Sequence, residues 1–213
     1  MKKIYLIMAL ACMMMVSCNP DEGGDSMGNI QGHDYVDLGL PSGVKWATCN
    51  IGANAPEEYG MYFAWGETSP KNEYTEENSL TTGKIIKEYL FVTSKEQYDA
   101  AAVNWGGTWR VPTRLELNEL LEKCKWEWTA QNGVNGYKVV GPNGNSIFFP
   151  AAGLRLETMH LGDNIIGYYW TCTPGDPGQA PGAAHILKFN EERGYYNDYV
   201  QGHIGMPIRP VSL

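Results

Sequence analysis

The side chains able to do chemistry in this chain are few and scattered. His33, His160, His185 and His203 lie far apart, with no H-x-H or H-E-x-x-H spacing, so no local pattern predicts a transition-metal site. The acidic pairs Glu57-Glu58 and Glu191-Glu192 are adjacent. Hydrolysis by two carboxylates needs them placed across a substrate, so these pairs read as solvated loop charges. No G-x-S-x-G elbow occurs, and no C-x-x-C, which leaves neither a serine nucleophile motif nor a zinc ribbon or dithiol pair. Cys124 has no histidine near it in sequence to serve as a base. One stretch is richer. "RGYYNDYVQGH" places Tyr195, Tyr196 and Tyr199 beside Asn197, Asp198 and His203. Tyr and Asn give contact area and adaptable hydrogen bonds at low entropic cost, and sugar rings stack on aromatic faces. Those six residues are the candidate ligand-binding set. The competing reading has the tyrosines alternating into the core of a strand.

Composition limits the partners. The 213 residues suit one domain plus a leader, and the chain carries 7 Trp, 13 Tyr and 25 Gly with a formal charge of −8. Aromatics and glycine at this level favour a β-rich, loop-rich body over a helical bundle. No lysine or arginine cluster exceeds Lys2-Lys3, so the basic footprint that nucleic acid requires is missing, and the acidic body would be repelled by an anionic membrane surface.

The first 18 residues read as a targeting segment. Lys2-Lys3 precedes the apolar run "IYLIMALACMMMV", which is short for a membrane span and ends at Ser17-Cys18. This junction resembles a bacterial lipobox, although "MVSC" lacks the usual leucine. The resemblance implies cleavage before Cys18 and lipid on its sulfur. Asp21-Glu22 resembles the acidic tag of surface-exported lipoproteins in Bacteroidota. The expected place is therefore the outer membrane, lipid-anchored and facing outward. Residues 19–32 look like a flexible tether, and residues 33–213 like the folded domain. Losing Lys2 and Lys3 with the leader leaves the remainder at about −10. Cys49, Cys124 and Cys172 then remain in an oxidising setting. An odd number permits at most one internal disulfide, and Cys49–Cys124 is the expected pair, since each adjoins a Trp-rich element.

Local patterns predict the elements. "YVDLGLPSGVKWATC" reads as a hairpin turning at Pro41-Ser42-Gly43. "YGMYFAWGE", "WEWT", "GYYWTCT" and "AAHILKFN" read as strands, and Pro142-Asn143-Gly144-Asn145 as a primed hairpin turn. A short strand or helix is expected at Ile85 to Val92, a helix over Lys95 to Val103, an aromatic loop or short strand at 194–205 and a closing strand over Met206 to Val211. Thr113-Arg114-Leu115-Glu116 is a capping box before an apolar helical face that runs to Cys124. The fold class is α+β, with many short antiparallel strands and about two helices.

The blocks "VDLGLPSGVKWATCNIGA", "YFAWGE", "NWGGTWRVPT", "LLEKCKWEWT", "GPNGNSIFFPAAG", "GYYWTCT" and "IRPV" occur in that order over about residues 34–211. Together they resemble the Fibrobacter succinogenes major paralogous domain family. The resemblance implies a C-type-lectin-like domain in which the first and last strands pair, related to formylglycine-generating enzymes. It implies no particular activity. Tyr196-Asn197-Asp198 resembles the second calcium motif of calcium-dependent lectins, but Gly175-Asp176-Pro177 does not match the first, and calcium needs six to eight oxygen ligands. Cys124 and Cys172 stand 48 positions apart and lack the local motif of the copper-dependent oxidases. The expectation is a cell-surface lipoprotein, not an enzyme and needing no cofactor, that binds an extracellular glycan or protein. The alternatives are a structural or accessory subunit of a surface appendage and, less favoured, a formylglycine-generating-type oxidase.

Overall fold

The computed structural model describes residues 27–82, 95–176, 181–192 and 194–213, and for Tyr196 and Asn197 the backbone alone. Cys18, expected to carry the lipid, the Asp21-Glu22 pair with the rest of residues 19–26, and the element expected at Ile85 to Val92 lie outside the described residues, as does part of the Pro/Gly loop at 174–182. The described residues form an α+β body, mostly antiparallel.

Three sheets carry it. The first has the order β1-β2-β3-β12, from β1 (Met27–Ile30), β2 (His33–Asp37), β3 (Lys45–Ala47) and β12 (Val211–Ser212). The second has the order β4-β5-β6, from β4 (Lys125–Gln131), β5 (Val134–Val140) and β6 (Ser146–Pro150). The third has the order β11-β10-β9-β7-β8, from β7 (Ala152–Leu156), β8 (Met159–Asp163), β9 (Ile166–Pro174), β10 (Ala183–Asn190) and β11 (Gly194–Gln201). The helices are α1 (Ala100–Trp105) and α2 (Arg114–Lys123).

Alternation along β9 and β10 sends side chains into two cores. Tyr169, Leu187 and Phe189 enter a cluster with Trp46, Leu120 of α2 and Phe149. Trp170, Cys172 and Ile186 enter another with Phe63, Trp109 and Ala101 of α1. The capping box is present as read. Thr113 accepts from the Glu116 amide, and the Glu116 carboxylate accepts from the Thr113 amide. The same carboxylate takes the Arg110 guanidinium, with Nη1 at 2.8 Å.

Several expectations are corrected. The tether ends earlier than residue 32, because Met27–Ile30 pairs in full with β2. Gly28 is required there, since a Cβ would sit 2.5 Å from the Tyr35 hydroxyl. The last strand pairs with β3 rather than with the first strand. The segment 59–67 is no strand: Gly60 and Gly66 take positive φ (73° and 74°), and a single bridge joins Phe63 to Met206. Tyr62 through Trp65 are buried in succession, so no alternating face exists. The closing strand shrinks to Val211–Ser212, because Pro207 and Pro210 have no amide to donate. The helix expected from Lys95 is a 3₁₀ turn at Glu96–Tyr98, after which Asp99 starts α1 by accepting the Ala101 and Ala102 amides. The primed turn falls at Asn132-Gly133 (φ 49° and 82°), not at Asn143-Gly144, where only the glycine is left-handed. Cys49, Cys124 and Cys172 are all free thiols, so the Cys49–Cys124 bridge is not formed. Cys124 is buried in the first core, whereas Cys49 is half-buried beside the Thr48 hydroxyl.

Arg209, of the block "IRPV", is fully buried. Its Nε donates to Asn50 Oδ1 at 2.8 Å, Nη1 to the Ala47 and Thr48 carbonyls at 3.2 and 2.8 Å, and Nη2 to the Phe148 carbonyl at 2.9 Å. Burial lowers its pKa from the ordinary arginine value. Arg209→Met leaves these acceptors unpaired, and we expect denaturant unfolding to show a loss of about 3 kcal/mol; a loss under about 1 kcal/mol would refute the assignment. Glu116 supplies a pH test. Burial raises its pKa, but the Arg110 and Thr113 hydrogen bonds outweigh that and hold it below the ordinary 4.5. A depressed carboxylate pKa contributes stability above the unfolded value and loses it as pH falls through the folded value. Melting temperature should therefore drop less in Glu116→Gln than in wild type between about pH 5 and pH 3.

Candidate functional site: an aromatic stack that reaches the surface

Trp126 and Trp128 alternate along β4 onto one face, where Trp128 stands opposite Tyr137 of β5. The register is fixed by the Asn132-Gly133 turn. Trp126 lies between two nearly parallel rings: Phe149 of β6 at 5.9 Å and 28° below, and Tyr195 of β11 at 4.6 Å and 29° above. Its indole Nε1 donates to the Leu120 carbonyl of α2 at 3.3 Å. Tyr137 meets Trp126, Trp128, Phe189 and Tyr195 edge-on at 5.1–5.7 Å. Offset stacks and edge-to-face pairs of this kind add about 0.5–1.5 kcal/mol each beyond area burial. The result is a column of rings running from a buried Phe149 to Tyr195, which is 36% exposed.

Tyr199 lies four residues farther along β11 and so on the same face. It is 46% exposed and stands 6.0 Å from His185, its partner in register on β10. Asp198 points to the opposite face, where its carboxylate is 4.0 Å from Lys188 and the Lys188 ammonium lies 5.5 Å above the Tyr168 ring. His203 is not on the platform. It is buried, 3.4 Å from the Thr82 hydroxyl through Nδ1, and burial lowers its pKa. The candidate set therefore divides: Tyr195 and Tyr199 share a surface, Asp198 backs onto the other side, and His203 is interior. The side chains of Tyr196 and Asn197 lie outside the described residues. Trp126, Trp128 and His185 belong to the platform but were not singled out by sequence; the W-x-W alternation was the available signal.

A second concavity of about 700 Å³ is lined by Met27, Thr48, Gln131, Lys138, Ser146 and Phe148 among others. It is an open groove lined by residues of both the first sheet and the β4-β5-β6 sheet. Among the described residues no group of three His, Cys, Asp or Glu side chains is placed to hold a metal ion. His33 stacks on Trp105 at 3.8 Å, and His160 bonds the Tyr62 hydroxyl at 2.8 Å. Burial pushes the Cys124 thiol up to about 11 and the Cys172 thiol up to about 12, the opposite of what a thiolate nucleophile needs. Among the described residues no helix is long and apolar enough to cross a membrane.

Comparison of the chain with protein-family models, with curated proteins and with solved structures finds no match in any of the three.

The thiols give a direct check. In the chain from residue 19 onward, an aromatic disulfide reagent at pH 8 should modify Cys49 quickly and Cys124 and Cys172 only on unfolding. Rapid native labelling at Cys124 or Cys172 would contradict the burial described.

Proposed function

We propose that this chain is a lipid-anchored surface protein of the outer membrane whose C-type-lectin-like domain binds an extracellular glycan or protein ligand without catalysis. The observation that carries the reading is the column Phe149–Trp126–Tyr195. Its inner rings are fixed by the core, its outermost ring is 36% exposed, and the Tyr199–His185 pair lies farther along the same face of β11 and β10. A ring held this way loses little entropy when a sugar or an aromatic side chain stacks on it. The ordered blocks over residues 34–211 support the fold family, as does the placing of the C-terminal strand against the N-terminal hairpin. The lipobox-like "MVSC" and the acidic Asp21-Glu22 support the location.

The test is binding of the chain from residue 19 onward to an array of glycans and host matrix proteins, with calcium and then with EDTA. We expect a saturable, EDTA-insensitive hit whose affinity falls about 3- to 10-fold in Tyr195→Ala and in Tyr199→Ala. A blank array from folded protein would overturn the reading in favour of a structural or accessory subunit. That second reading has its own support: among the described residues β11 pairs with β10 alone.

A further inference from the structure

In the segment between Trp65 and Thr82, one ammonium is held between a carboxylate and a carboxamide. Lys71 Nζ lies 3.0 Å from each carboxylate oxygen of Glu67. It also donates to Asn78 Oδ1 at 2.8 Å and to the Asn78 carbonyl at 3.1 Å. The Tyr74 ring lies 5.6 Å from the same nitrogen. Each member is held by bonds of its own. The Glu67 carboxylate is buried and accepts the Leu80 amide at 3.0 Å. The Asn78 carboxamide is oriented from both ends. Its Nδ2 donates to the Glu73 carbonyl at 3.0 Å, and its Oδ1 accepts the Thr75 amide at 3.3 Å. Tyr74 ties this loop to the body of the fold. Its hydroxyl donates to the Tyr62 carbonyl at 2.6 Å and accepts the Lys71 amide at 3.1 Å, and its backbone bridges to Glu157.

An ion pair needs only a cation and an anion. This one also has an acyl carbon, Asn78 Cγ, one bond away from an atom the ammonium already touches. A lysine amine becomes a nucleophile when an adjacent base takes its proton, and Glu67 is placed as that base. The Thr75 amide points at the carboxamide oxygen, where charge develops as Cγ becomes tetrahedral. Holding nucleophile, base and acyl group together in one loop replaces a chance encounter by an intramolecular step.

We propose that Lys71 and Asn78 join through an intramolecular isopeptide bond, with Glu67 carrying the protons. Glu67 accepts one proton from the Lys71 ammonium. The freed lone pair on Nζ attacks Asn78 Cγ, and a C–N bond forms. Glu67 passes its proton to Nδ2 as the Cγ–Nδ2 bond breaks, and ammonia leaves. The new amide nitrogen gives up its surplus proton by way of Glu67 to the departing ammonia, which goes into solution as ammonium. The Glu67 carboxylate is restored, and no oxidant, reductant or cofactor is consumed. The event happens once per chain, so it is not turnover. It closes a covalent ring over residues 71–78 with Tyr74 inside it. Polar surface loops are preferred sites of proteolytic nicking, and the bond removes the free lysine that trypsin-like proteases read. The proposal rests on these three side chains and does not depend on ligand binding.

Intact-mass spectrometry of the folded chain from residue 19 onward, after prolonged incubation at neutral pH, tests it together with tryptic mapping. The wild type should weigh one ammonia less than its sequence. Residues 46–84 should come off as one piece, still joined after trypsin has had access to Lys71. Lys71→Arg keeps the cation and Glu67→Gln keeps the side-chain shape. Each should show the full sequence mass, with near-ultraviolet circular dichroism unchanged. A folded wild type of full mass that trypsin cuts after Lys71 would overturn the proposal. So would a loss of ammonia that persists in Lys71→Arg, since it would then arise elsewhere in the chain. Either result would leave the array experiment unaffected.

Discussion

One buried cation sets the architecture. Among the described residues Arg209 pairs with no carboxylate; its guanidinium is solvated by the Asn50 side chain and by carbonyls from the end of β3, the residue after it and β6. Taking a charge out of water is costly unless its donors are met, so the chain segments supplying those acceptors must arrive together. Asn50 extends the network. Its amide donates to the Tyr59 carbonyl at 3.0 Å and toward the Tyr169 hydroxyl of β9 at 3.4 Å. All three sheets thus meet around a single side chain. The packing here is not free of cost: the buried Trp46 indole nitrogen has no hydrogen-bond partner among the described residues.

The surface inherits that constraint. The guanidinium carbon of Arg209 lies 4.8 Å from the centre of the Phe149 ring, and Phe149 is the base of the column that ends at Tyr195. The chain of causes runs from a buried polar node, to a fixed ring, to the Trp126 indole pinned by α2, to an exposed tyrosine with little freedom left. Tyr199 of β11 and His185 of β10 pair farther along the same face.

Much of the scaffold was legible in the sequence because its signals are local. Thr113 and Glu116 announce their own cap, and β10 occupies the residues of the apolar stretch "AAHILKFN". The failures occur where distant residues decide. The run Tyr59 to Glu67 has strand composition, yet its aromatics are buried on every side and pair only at Phe63. Met27–Ile30 looks like linker because its glycine is explained only by the Tyr35 ring lying across Gly28, and its Asn29 by bonds to Asp34 and Gly32 in the paired hairpin. The tyrosines of 195–199 were readable as aromatic, but not the Trp126 beneath them, 69 positions away in sequence. Arg209 carried no sign in sequence of being a fully buried polar node, since three of its four acceptors are main-chain carbonyls, which every residue has.

The account makes the three sheets one cooperative unit held at Arg209, and native-state amide hydrogen exchange measures that directly. It predicts that the slowest amides of β3, β5 and β9 open with a common free energy, within about 1 kcal/mol of global unfolding. A β4-β5-β6 sheet that exchanged through its own opening, several kcal/mol below the rest, would show that the buried guanidinium does not bind the sheets together and would detach the aromatic column from the core said to fix it.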